Sequence, residues 1–192
     1  MEVGRADMEA KAQRVLETRE VPLPPAGSVE TGVGYPLAVD VDGDLAAVSF
    51  AVLDMYPDIQ PGMWCVALIY RRRENGWVEA SEHDNTTTPR PFERPLAAEN
   101  DVAGWIDWHS NSGVGWSEEH GEMHSYFGIA PVTTARLTVT PAAGSERDIR
   151  ITSFNGAYVV AVAGSESTLT GYSPEGSRLG AFSYQGSGGP GS

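Results

Sequence analysis

The chain has 192 residues, 41% hydrophobic and 20% charged, with 26 acidic and 13 basic side chains and a formal net charge of −13. It is long and apolar enough for one ordinary domain with its own core, and too apolar for a disordered chain. The acidic balance argues against a non-specific duplex-DNA binder, and the single cysteine, Cys65, excludes an internal disulfide framework and a multi-cysteine zinc site.

In chain order, Met8 to Arg19 reads as a short helix capped by Asp7, with Met8, Ala12, Val15, Leu16 and Arg19 on one side. Leu16 to Val21 can alternatively be an edge strand, and Pro22, Pro24 and Pro25 stop a helix in either case. From Tyr35 the period changes to two. Leu37, Val39 and Val41 alternate up to the tight-turn pair Asp42-Gly43, and Leu45 to Leu53 returns. Met63 to Tyr70 is a strand with Trp64, Val66, Leu68 and Tyr70 on one face and Cys65, Ala67 and Ile69 on the other. Arg71-Arg72-Arg73 then leads into the turn Asn75-Gly76 and back along Trp77 and Val78. Residues 83–103 are polar, proline-rich and aperiodic, and read as a long loop.

An aromatic segment from Trp105 to Trp116 follows, then a strand about His124 to Ile129. Leu137 and Val139 alternate with Arg136, Thr138 and Thr140, Pro141 to Ser145 turns the chain, and Ile149 and Ile151 continue the apolar face. Asn155-Gly156 turns into Tyr158 to Ala163, and Ser173 to Gly176 joins a final pair of strands near Leu169 and Phe182. About nine short strands at turn spacing predict an all-β fold: a single antiparallel β-sandwich, or barrel-like, domain. The expected division is a helix or arm over 1–20, the sandwich over 21–185 and a flexible tail or appended remnant over 186–192.

Four pieces of the last third form a recurring pattern: Tyr126-Phe-Gly-Ile-Ala-Pro131, Ala135-Arg-Leu-Thr-Val139, Phe154-Asn-Gly-Ala-Tyr-Val-Val160 and Thr170-Gly-Tyr-Ser-Pro-Glu-Gly-Ser-Arg-Leu179. The pattern resembles the C-terminal part of small uncharacterised β-rich proteins common in actinomycetes. The resemblance implies a sandwich-like module and carries no catalytic residue over to this chain.

Chemistry-bearing residues concentrate between Trp105 and His124. Trp105, Trp108 and Trp116, with Asp107 and Asn111, have the make-up of a stacking or anchoring surface for a protein, or for a sugar ring in a carbohydrate-binding module. They can equally cap one end of the sandwich core. Glu118, Glu119 and Glu122 add negative charge, and residues 96–130 hold six acidic side chains and no basic one. Residues 1–60 hold 11 acidic and four basic side chains, so the two segments together carry the excess and would suit a basic partner if they meet in the fold.

The alternative is a zinc or other divalent site in a metal-dependent hydrolase, formed by His109, His120 and His124 with Glu119 or Glu122 as base. The order His-Gly-Glu-Met-His over 120–124 is not an HExxH motif, and a polar loop before a strand also accounts for it. Asp40-Val-Asp-Gly-Asp44 suggests calcium, but position twelve of such a loop is Ala51, and a hairpin turn accounts for the motif. Arg71-Arg72-Arg73 suits a phosphate or blunts an exposed strand end.

No Gly-x-Ser-x-Gly elbow, reactive-cysteine setting or nucleotide-binding glycine loop is present, so the leading expectation is a binding module without catalytic residues and without a cofactor. Its expected partner is a protein with a basic surface, as for an inhibitor or immunity-type protein, with no nucleic acid or membrane involved. The start Met1-Glu-Val-Gly-Arg-Ala-Asp7 lacks the pattern of a secretory signal, and the expected location is cytoplasmic.

Overall fold

The structure is a computed structural model. It describes residues 4–23, 29–56, 58, 61–86, 90–98, 105–117 and 121–185, with backbone alone for 82–86, 108–117 and 121. The expected tail over 186–192 lies outside the described residues.

The fold is all-β with antiparallel sheets and one short helix. Helix α1 spans Arg5–Thr18 and is followed by β1 (Gly34–Asp42), β2 (Leu45–Leu53), β3 (Met63–Arg73) and β4 (Gly76–Thr86). These four strands form a meander in the order β1-β2-β3-β4. A second sheet of three strands has the order β5-β6-β9, from β5 (Trp108–Ser117), β6 (Gly121–Ile129) and β9 (Ala157–Ala163). The third sheet has the order β11-β10-β7-β8, from β7 (Arg136–Pro141), β8 (Arg147–Ile149), β10 (Glu166–Tyr172) and β11 (Arg178–Gln185). The expected long loop over 83–103 begins later than the sequence suggests, because β4 runs to Thr86.

The sheets stack in layers, with the β5-β6-β9 sheet in the middle. Along β9, Ala157, Val159 and Ala161 face the first sheet, whereas Tyr158, Val160 and Val162 face the third. The period-two geometry of a strand makes this division automatic once both faces are apolar. The first sheet is also covered twice. Val48, Phe50, Val66 and Leu68 pack under Met8, Ala12, Val15 and Leu16 of α1, while Ala47, Ala51, Cys65 and Ala67 face the middle sheet. Six of the 13 buried residues between the first and middle sheets are alanines, and these short side chains let β9 lie close against β1 and β2.

Two local expectations change. Asp7 does not cap α1: the helix begins one turn earlier, and the Asp7 carboxylate accepts the Gly34 N–H at 2.8 Å and pairs with Lys11 at 2.8 Å. Leu37 does not share a face with Val39, because a register shift between Pro36 and Ala38 turns it toward the middle sheet.

Trp105, expected at a surface, is 1% exposed. Its indole lies in a slot between β10 and β11 made by Gly171 and Gly180, which face each other in register. A Cβ at either glycine would overlap the ring. The ring also meets Phe182 at a centroid distance of 5.7 Å, and Thr134 Oγ1 donates to the Trp105 carbonyl. We predict that Gly171→Ala destabilises the fold by about 1–3 kcal/mol through overpacking, and Trp105→Ala by about 3–5 kcal/mol through the cavity it leaves. Denaturant titration checks both; a wild-type midpoint for Gly171→Ala would mean that the indole does not occupy this slot.

Candidate functional site

The segment singled out by its tryptophans, histidines and carboxylates forms the approach to β5, the β5–β6 hairpin and its connection. Trp108 pairs with Ile129 at the start of β5, and Ser117 pairs with Gly121 at its end. At about 3.3 Å per residue, the Trp108 and Trp116 backbones stand roughly 26 Å apart along the strand. With Trp105 in the core, the three tryptophans do not form one aromatic surface. Asn111 pairs with Tyr126 in the middle of the hairpin. The side chains of Trp108, His109, Asn111 and Trp116 lie outside the described residues, as do Glu118, Glu119 and His120 entirely.

The hairpin also separates the carboxylates. Asp107, partly exposed, precedes β5, and its N–H donates to Ile129 O at 3.1 Å. Glu122, also partly exposed, belongs to the opposite end of the hairpin. At least five of the 11 carboxylates of residues 1–60 are held in ion pairs. Lys11 holds Asp7, Arg5 holds Glu9, Arg147 holds both Asp40 and Asp42, and Arg71 holds Asp44. The same pairs occupy all three carboxylates of the Asp40–Asp44 turn. Burial pushes the Asp40 carboxyl above its ordinary range, with the Arg147 hydrogen bond and charge pulling the other way.

His124 and His109, two of the three histidines of the metal alternative, are not neighbours. His124 and His109 pair with Gly113 and Gly128, respectively, so their backbones stand four positions apart along adjacent strands, roughly 13 Å. Both ring nitrogens of His124 are already engaged. The Gly164 carbonyl lies 2.8 Å from Nδ1 and can only accept, so Nδ1 carries the proton. Nε2 then accepts from the Ser167 hydroxyl at 2.5 Å. Among the described residues no group of three or more potential ligands could hold a metal ion.

No spacing or motif announces the cluster that His124 does join. Tyr126 OH lies 2.8 Å from Ser167 Oγ and 3.0 Å from the Ser167 carbonyl, and it accepts the Tyr184 N–H at 3.1 Å. The His124 and Tyr184 rings stack at 4.3 Å. A serine hydroxyl on a histidine nitrogen is the arrangement of a nucleophile and its base. Here, however, His124 and Ser167 are buried, and Tyr126 and the in-register neighbour Tyr184 flank the hydroxyl. In this geometry the cluster ties β6 of the middle sheet to β10 and β11 of the third. Only pairing across sheets reveals it, since Ser167 has no distinguishing sequence context.

A different feature reaches solvent. Arg94 donates from Nε to Ala130 O at 3.1 Å, and from Nη2 to Pro131 O at 3.3 Å and Thr134 O at 2.9 Å. Val132 N–H donates to Pro95 O at 2.9 Å, bringing together the backbones that carry Leu96 and Val132. These side chains are 81% and 42% exposed. Asn155 Nδ2 donates to Pro91 O at 3.0 Å, anchoring the same loop to the turn before β9. Two large apolar side chains are thus held in water on backbone clamped by an arginine.

No protein-family model, curated protein or solved structure matches the chain.

Burial lowers the pKa of His124 below its ordinary value near 6.5, against the Gly164 carbonyl, which favours the charged form. The folded chain therefore holds the ring neutral at a pH where the unfolded chain takes up a proton. The stability this provides is complete above about pH 6.5 and is lost as the pH falls from there through the lower folded value. We predict that the melting temperature falls between pH 7.5 and 5, and that His124→Gln falls less steeply over the same interval. Parallel melting curves for the two proteins would contradict the burial of a neutral ring.

Proposed function

We propose that this protein is a binding module for a protein partner with a basic surface, and that the partner docks where Leu96 and Val132 stand in solvent. The single observation that carries the reading is the clamped pair itself. Exposed leucine and valine side chains lose hydration cost when a partner covers them, and backbone fixed by Arg94 and Asn155 spares the partner much of the cost of ordering that loop. Partly exposed Asp107, whose N–H bonds Ile129 O, lies beside the same region, and its carboxylate favours a cationic partner over an anionic one.

An inhibitor or immunity-type role is compatible with this reading. A cytoplasmic location belongs to the same proposal; among the described residues no helix is long and apolar enough to cross a membrane. No observation favours the hydrolase or the sugar-binding alternative over it.

The test compares wild type with the Leu96→Asp/Val132→Asp double variant in quantitative pull-downs from the native host. Both positions are exposed, so the variant should fold. A specific partner should be retained by wild type, released by raised salt, and bound at least about tenfold more weakly by the variant, the usual scale for a disrupted anchor. Equal retention by the two proteins would overturn the proposed surface.

A further inference from the structure

The run Arg71-Arg72-Arg73 forms the end of β3, an interior strand of its sheet, and Arg72 and Arg73 are exposed there. Arg71 reaches Asp44, with Nη1 2.9 Å from Oδ2. Arg72 lies on the helix side, opposite its cross-strand partner Trp77, with its guanidinium 5.8 Å from the indole centroid.

A second guanidinium, from Arg19, stands 6.0 Å from the same ring. Arg19 gets there because the chain leaves α1 in the left-handed region, at φ 60°, with its N–H bonded to Val15 O at 2.8 Å. Arg150 Nη1 donates to the Arg19 carbonyl at 3.0 Å, adding a third positive charge nearby. Among the described residues, no carboxylate forms a salt bridge with Arg19, Arg72 or Arg150, whereas Arg71 and Arg147 are paired at the same end of the first sheet. A hollow of about 360 Å³ opens beside Arg19 and Arg72, lined also by Gln13, Glu17, Asn75 and Trp77 among others.

We propose that this hollow binds a small, multiply charged oxyanion of the phosphate type, gripped by Arg19 and Arg72 beside Trp77. Two like charges gathered on one aromatic ring repel each other, and a bound anion relieves that repulsion. The indole attracts and orients each guanidinium group, so their hydrogen-bonding forks are partly placed before a ligand arrives. A carboxylate accepts only in and near one plane, so two forks on it must be close to coplanar, whereas a phosphate presents oxygens in tetrahedral directions that suit forks set at an angle. The Asn75 amide on the rim supplies a further donor. Glu17 lines the same hollow and opposes an anion, and the net charge of −13 opposes it at longer range. The site therefore depends on local geometry rather than on the field of the whole molecule.

Calorimetric titration of the full chain with pyrophosphate and with inorganic phosphate tests this site. The expected result is saturable one-to-one binding that Arg19→Gln and Arg72→Gln each weaken by about fivefold or more, the scale of a lost charge-assisted contact. Arg178→Gln, in another sheet, should leave it unchanged. Glu17→Gln should tighten binding by about two- to fivefold, a gain that general damage to the fold would not produce. No saturable binding of either anion, wild-type binding by both arginine variants, or no gain from Glu17→Gln would overturn the site.

Discussion

The structure depends on one constraint: the β5-β6-β9 sheet has two apolar faces, and both must be kept from water. From Ala157 to Val162 every residue of β9 is buried, so no single partner layer suffices. The first sheet covers one face and the third sheet the other, which places β6 and β9 at the centre. The first sheet meets the same requirement, because β2 is buried along almost its whole length and α1 closes its outer face. A short helix with few apolar residues is marginal alone in water; this one is held by docking onto Val48, Phe50 and Val66.

Hydrophobic contact alone leaves the layers free to slide, and a few polar links set their relative position. Arg147 of β8 crosses to Asp40 of β1 through paired contacts of 3.0 and 2.6 Å. Thr152 Oγ1 donates to Leu37 O at 3.0 Å between the same regions. On the other side, His124 and Tyr126 reach Ser167 from β6. A buried ion pair is weak support for stability, since desolvation offsets much of the attraction, but removing one partner leaves the other buried and unpaired. These links therefore act mainly on register. They also make the interior a poor place for a ligand, which directs functional attention to the clamped loop and to the arginines beyond α1.

Much of the strand pattern was legible in the sequence. The turns at Asp42-Gly43 and Asn155-Gly156 and the two faces of Met63 to Tyr70 follow from period-two alternation and turn chemistry, which are local. What was not legible is non-local. Strand alternation does not say which strands share a sheet, so a third layer was invisible. The run Trp105 to Trp116 looked like a surface because tryptophans gather at interfaces, yet Trp105 is buried by two glycines much later in the chain. Ion pairing was not legible for the same reason: Asp40, Asp42 and Asp44 of the first 60 residues meet Arg71 and Arg147 from outside that segment. The site-like cluster of His124 with Ser167 joins different sheets and has no sequence spacing to announce it.

Amide hydrogen exchange tests the layered account most directly. Strands β6 and β9 can open only when both outer sheets come away, so the amides bonded between them should exchange solely through global unfolding and be the slowest in the molecule. The amides of α1, and those of β11 at the edge of the third sheet, should exchange faster through local opening. Exchange in β9 as fast as in β11 would contradict a middle sheet enclosed on both faces.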